Sequence, residues 1–176
     1  MSVEQFGAWM QSASIATALR ESALMFPIVM TGHLSGMALF GGMILMTDMR
    51  LLGLALKDYS ITEVVKGLRP WKHLGLTLTA GCGFFLFWSK AAVYVTNPYF
   101  WLKMTLLACV IIHAVVFRRG VYKNTEELDR AAQIPGNAKA AAIVSLVLWT
   151  GLVTAGRLIG YYEPPQKQPQ TAALQR

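Results

Sequence analysis

Charge is scarce in this chain, and negative charge is the scarcer kind. Only 14% of its 176 residues are charged, 9 acidic against 16 basic, where soluble domains carry about 25%. The apolar stretches delimited below hold no carboxylate, which argues against a proton-coupled carrier working through Asp or Glu. There are two cysteines, Cys82 and Cys109, neither in Cys-x-x-Cys or Cys-x-x-Cys-His spacing. That excludes zinc ribbons and covalent haem attachment, and both are read as packing residues. No catalytic triad, phosphate loop, paired-carboxylate site or metalloprotease motif occurs. Four apolar segments without an inverted repeat also argue against a secondary transporter.

What the chain does have is hydrophobicity: 55% of residues are apolar and the mean hydropathy is +0.44. Length and composition together predict one membrane domain. The net charge of +7 does not point to nucleic acid, because the basic residues flank apolar runs and no nucleic-acid motif appears. They are topology signals. The N-terminus lacks a basic start and carries Glu4, and its long apolar run begins only after Glu21. It is expected to be retained rather than cleaved as a signal peptide.

The predicted fold is all-α: an integral membrane four-helix bundle over residues 22–162, preceded by an N-terminal interfacial amphipathic helix (1–21) and followed by a flexible tail (163–176). In the first segment Ser2 and Gln5 fit a capping box, and Phe6, Trp9 and Met10 share one side. With Trp9 in that stripe, the helix is expected to lie in the membrane interface. Span one runs from Ser22 to Thr47, with helix continuing toward Leu56 and Pro27 as a candidate kink. Residues 57–72 form a polar connection, in which Ser60 and Glu63 cap a short helix ending near Gly67. Arg69-Pro70-Trp71-Lys72 opens span two, which reaches Val95. Asn97-Pro98 is a tight turn. Span three covers Tyr99–Phe117 and span four Ala140–Gly160, and each run is long enough to cross a bilayer. The tail is rich in Pro and Gln, a composition typical of disorder.

Arg and Lys set the orientation. Arg50, Lys57, Lys66, Arg69 and Lys72 follow span one, and Arg118, Arg119, Lys123, Arg130 and Lys139 follow span three. Only Arg20, Lys167 and Arg176 lie on the other side, ten against three. Both larger loops are expected in the cytoplasm and both termini in the periplasm of a bacterial inner membrane.

From Ala23 to Thr47 the only ionisable side chain is His33, set among Gly32, Gly36, Gly41 and Gly42. An ionisable group in hydrocarbon marks a functional site by default, and glycine lets a neighbouring backbone or flat cofactor approach. His33, His73 and His113 all lie in or at the edge of spans, and imidazole is the usual axial ligand of haem b. At about 1.5 Å of rise per residue, His33 lies about 18 Å from Glu21 and His113 about 24 Å from Asn97. His73 falls at the cytoplasmic surface. His33 and His113 are therefore the preferred bis-histidine pair, with His73 reserved for a second haem. Met30, His33 and Met37 share one helix face and would suit Cu(I), but methionine is spread through the chain and copper is disfavoured. Lys103 and Arg157 are candidates to pair with haem propionates or an anionic substrate, and Lys90 to snorkel to the interface. Asp48 and Arg50 form a helix-end ion pair or contact a propionate or quinone headgroup.

His33, the element Asp48-Met49-Arg50-Leu51-Leu52-Gly53 and the stretch Asn97-Pro98-Tyr99-Phe100-Trp101-Leu102-Lys103 together resemble a family of small, uncharacterised bacterial four-span membrane proteins over residues 22–160. More distantly the chain resembles HemJ-type protoporphyrinogen oxidases and CopD-like copper-resistance proteins. That resemblance implies haem b and electron exchange with quinone, with His33, Arg50 and Lys103 in the functional positions. Span one lacks that group's Trp and Pro beside the Arg, and the N-terminal helix is additional.

The resulting expectation is haem b between spans one and three, ligated by His33 and His113. Gly36 would admit the macrocycle, and Arg50, Lys103 and Arg157 would serve its anionic groups. The expected role is electron transfer with quinone, or as a membrane subunit beside other membrane or periplasmic redox subunits, rather than enzymatic turnover. A HemJ-like porphyrinogen oxidase and a cofactor-free structural subunit are the alternatives. The latter draws on Gly32-x-x-x-Gly36 and Gly156-x-x-x-Gly160.

Overall fold

The structure, a computed structural model, describes residues 1–120 and 125–163; the expectations for Lys123 and for the tail beyond Glu163 lie outside these residues. Every regular element among the described residues is helical, as the predicted all-α class requires.

At the N-terminus two short helices stand where one was expected. Ser2 caps α1 (Val3–Gln11): its hydroxyl accepts from the Gln5 amide at 3.2 Å while its own amide donates to Gln5 Oε1 at 2.8 Å. The chain turns at Ser12-Ala13 and resumes as α2 (Ser14–Glu21). Both are tied to the far end of the second long helix. The Trp88 indole donates to the Met10 carbonyl (2.9 Å), Arg20 donates to the Ser89 carbonyl (3.2 Å), and the Ala92 amide donates to Gln11 (3.0 Å). Gly7 permits this approach, since a β-carbon there would stand 3.1 Å from the Ala92 Cα. Phe6 and Trp9 stay exposed with their rings 5.9 Å apart, the outward stripe an interfacial element needs.

Helix α3 (Met25–Leu52) carries Pro27 in its first turn, where a missing amide hydrogen breaks no bond. It ends at Gly53, whose φ of 74° is the left-handed cap that stops a helix. As expected, helix continues beyond Thr47, though it stops at Leu52 short of Leu56, so that Asp48 lies within a helix long and apolar enough to span.

Helix α4 (Ile61–Ser89) starts with the expected capping box, the Glu63 amide donating to Ser60 Oγ (3.1 Å) and the Ser60 amide to Glu63 Oε2 (2.8 Å). It does not stop near Gly67. It continues through Pro70, which costs one internal hydrogen bond but not the helix. Among the described residues three helices are long and apolar enough to cross a membrane: Met25–Leu52, Pro98–Phe117 and Gly136–Tyr161. Helix α4 is 29 residues long, but Lys66, Arg69 and Lys72 leave its apolar part short. The three fit a multi-pass membrane protein in a lipid bilayer.

A tight corner follows. Helix α5 (Ala91–Tyr94) leads to Asn97, which is buried; its amide donates to the Ile159 carbonyl (3.1 Å) and its Oδ1 accepts from the Tyr99 amide (2.9 Å). That single side chain starts α6 (Pro98–Gly120) and ties it to the end of α8 (Gly136–Leu158). Phe100 stacks on Phe87 at 5.3 Å and on Tyr94 at 5.9 Å, closing the corner. The short α7 (Thr125–Arg130) precedes α8, and a 3-10 turn (Ile159–Tyr161) ends the described chain's last helix.

Helix α3 packs mainly against α4 and α8, and α6 packs on α8. The contacts run antiparallel: Gly32 meets Cys82, Gly36 meets Thr79 and Phe40 meets Gly75. Likewise Gly41 meets Trp149 across α3 and α8, while Leu106 meets Gly151 across α6 and α8. At the loop end Leu51 (0% exposed), Ile61, Ala138 and Ala142 form a small core.

Candidate functional site

Two polar levels stand inside this apolar framework, one toward the Asn97 corner and one toward the loops. The corner level is built on His33. Its Nδ1 lies 2.8 Å from the Thr79 carbonyl on α4, and the ring rests on Gly83, where a β-carbon would be 2.9 Å from Cε1. A backbone carbonyl at Nδ1 selects the tautomer with hydrogen on Nδ1, and Nε2 then carries the lone pair. Lys103 enters from α6. Its ammonium lies 3.5 Å from the place a β-carbon of Gly156 would take, so the absence of a side chain at Gly156 makes room for it. The Lys103 charge acts on the His33 imidazole. Among the described residues no hydrogen bond or ion pair satisfies this partly buried ammonium.

His113 is elsewhere. Its Nε2 lies 3.1 Å from the Ala141 carbonyl of α8, and its ring packs on Phe117 at 4.6 Å. Trp149 beside Gly41 and Gly156 beside Lys103 set the register, and they place Lys103 level with His33. His113 follows Lys103 by ten residues, about 15 Å further along the same helix. The structure therefore does not bring His33 and His113 together, and they hydrogen-bond to different helices. Measuring depth from Glu21 misplaces them, because α2 folds as its own helix and α3 begins only at Met25.

The glycines are also accounted for. Gly32 and Gly36 are closed by Cys82 and Thr79, and Gly41 by the Trp149 indole. A groove of about 430 Å³ does open between α3 and α8 beside Gly42, but its walls are Leu34, Met37, Leu45, Leu146, Trp149 and their neighbours, without a histidine. No bis-histidine slot between spans one and three is present at these residues. Arg157 is exposed; it donates to the Tyr161 hydroxyl at 2.8 Å and lies 5.0 Å from that ring. Thr150 and Thr154, at i−7 and i−3, are exposed with it, so this stripe of α8 faces outward. Lys90 lies over the Phe26 ring at 4.5 Å. His73 is exposed, and Met37 faces the lateral groove. Among the described residues no three of His, Cys, Asp and Glu gather as a metal site.

The loop-end level was not anticipated. Lys72 donates to Thr47 Oγ1 at 2.6 Å, and Thr47 passes its own hydrogen to the Met43 carbonyl at 2.9 Å. Asp48, 1% exposed, faces Lys72 and the Ser145 hydroxyl of α8. The signal was spacing: Thr47 follows Gly36 by eleven residues and Asp48 follows Gly41 by seven, so both return to the faces that the contact glycines occupy. Arg50 does not pair with Asp48. Its Nε donates to the Tyr59 carbonyl at 2.8 Å, in a cleft of about 290 Å³ shared with Asp129. Asp129 accepts from the Ile61 amide (2.6 Å) and the Thr62 amide (3.1 Å), capping α4 from α7. Partial burial alone would raise the Asp129 carboxyl. Hydrogen bonds from Thr62 and Ile61 and the Arg50 charge outweigh it and hold the group below the usual carboxylate range.

Residues 23–162, most of the chain, match the Family of unknown function (DUF6644), and the chain belongs to that family. No curated protein and no solved structure matches it.

Proposed function

We propose that this protein is a bacterial inner-membrane binding protein whose corner half receives the acidic group of a lipid-soluble ligand. Haem b is the occupant we favour. The observation that carries this is Lys103: a partly buried ammonium lying on Gly156 of α8, level with the His33 imidazole and, among the described residues, with no carboxylate paired to it. An unpaired interior cation is costly, and an anionic ligand removes the cost. His33 would be the residue to hold the iron of such a group, its Nδ1 fixed by the Thr79 carbonyl and its Nε2 free to bind. Haem b would supply one-electron transfer, with quinone or with a partner subunit as the other redox party. The chain's own part is to orient the imidazole through Thr79 and to neutralise a propionate through Lys103. In this reading the loops lie in the cytoplasm, the Asn97 corner faces the periplasm, and both termini are periplasmic, as the ten-against-three basic bias supports.

The HemJ-type alternative needs Arg50 in the same site, and Arg50 is held at the opposite end by Tyr59. The cofactor-free alternative has a specific observation in its favour: Gly32, Gly36 and Gly83 are all covered by side chains or backbone of the facing helix.

The deciding experiment is the absorption spectrum of the full chain purified after haem-replete expression, with haem quantified per chain. A b-type Soret band lost in His33→Ala, weakened in Lys103→Met and kept in His113→Ala supports the proposal. A colourless preparation, or a band that depends on His113 and not His33, overturns it.

A further inference from the structure

Asp48 is buried, and its Oδ2 has no hydrogen-bond partner among the described residues. Groups from two other long helices face it, Lys72 of α4 and Ser145 of α8, while His113 of α6 meets α8 at Ala141, one turn from Ser145. Lys72 is the charged group that faces it, and His113 is the titratable group that α6 sets against the same stretch of α8. Arg50, two residues on, turns away to Tyr59. An open carboxylate oxygen in a dry interior is costly as an anion, and a proton on that oxygen removes the cost. Asp48 also lies only four residues from the end of α3 at Leu52, about 6 Å from the loop face and its water.

We propose that Asp48 is a proton-binding site of the bundle interior, exchanging with water on the loop side. The step is proton transfer alone. An O–H bond forms at Oδ2 as hydronium gives up its proton, and the same bond breaks on return, with no electrons moved. The Lys72 ammonium favours the ionised form, and the Ser145 hydroxyl, hydrogen-bonded to the carboxyl, can pass a hydrogen on. This holds whatever occupies the His33–Lys103 level, and it makes an interior carboxylate available to proton-linked work.

Infrared difference spectroscopy of the full chain in nanodiscs, titrated with acid, tests it. We expect a protonated-carboxyl stretching band that grows reversibly on acidification, vanishes in Asp48→Asn and changes frequency in Asp48→Glu. Lys72→Met moves its midpoint about 1–3 pH units higher, because the favouring cation is gone. If Asp48→Asn fails to fold, the frequency change in Asp48→Glu carries the assignment. The proposal is overturned if no band responds to either Asp48 variant, for Asp48 is then a fixed charge. It is overturned equally if the midpoint ignores Lys72→Met.

Discussion

Gly36 of α3 lies flat against Thr79 of α4: a β-carbon at Gly36 would stand 2.7 Å from both the amide nitrogen and the hydroxyl oxygen of Thr79. Gly75 repeats the contact from the other side, where a β-carbon would stand 2.7 Å from the Phe40 nitrogen. Because the obstructing atoms include backbone on both helices, neither can yield without moving. Gly36→Ala is expected to destabilise the protein by about 1–3 kcal/mol in reversible unfolding from mixed micelles. Gly42→Ala, with nothing within 4 Å, is expected to leave stability unchanged. Equal losses in the two variants would show that the α3–α4 seam is not where stability resides.

The His33–Thr79 hydrogen bond separates a ligand role from a packing role. His33→Gln retains an N–H that can reach the Thr79 carbonyl, so it should keep thermal stability within about 0.6 kcal/mol, the average worth of such a bond between membrane helices. It should nevertheless lose the Soret band. If His33→Gln keeps the band, the imidazole is not the iron ligand.

Acid should loosen the loop end first. Asp129 is held below the ordinary carboxylate range, so its stabilisation is fully present above that range and disappears as pH falls through the depressed value. Hydrogen exchange at the Ile61 and Thr62 amides, which Asp129 caps, should quicken in Asp129→Asn at neutral pH. In the wild type, protection at these amides should fall only below the normal carboxylate range. An Asp129→Asn variant with unchanged exchange would remove the clasp from the account.

Gly53 carries the one positive φ among the described glycines, 74°. Placing a β-carbon there costs about 1–2 kcal/mol, so Gly53→Ala should lower the unfolding midpoint. Gly67→Ala, in open space within α4, should hold or raise it. The reverse order would mean that α3 does not end in a left-handed cap.

Much of this protein was legible in the residues alone, wherever the cause is local. Ser2 with Gln5 and Ser60 with Glu63 name their helix starts because both partners lie within one turn. Asn97-Pro98 marks its corner for the same reason, and hydropathy alone locates three of the long helices. What sequence could not supply is register between helices. His33 and His113 look comparable in depth when each is counted from its own chain end, yet the contacts Gly41–Trp149 and Lys103–Gly156 slide them about 15 Å apart. Asp48 reads as one half of an ion pair until Arg50 is seen to turn to Tyr59, and Arg157 reads as a propionate partner until Tyr161 draws it out. Periodicity says which residues share a face of one helix. Only the packing of side chains from separate helices decides what that face meets, because those contacts join residues too distant in the chain for any local pattern to encode.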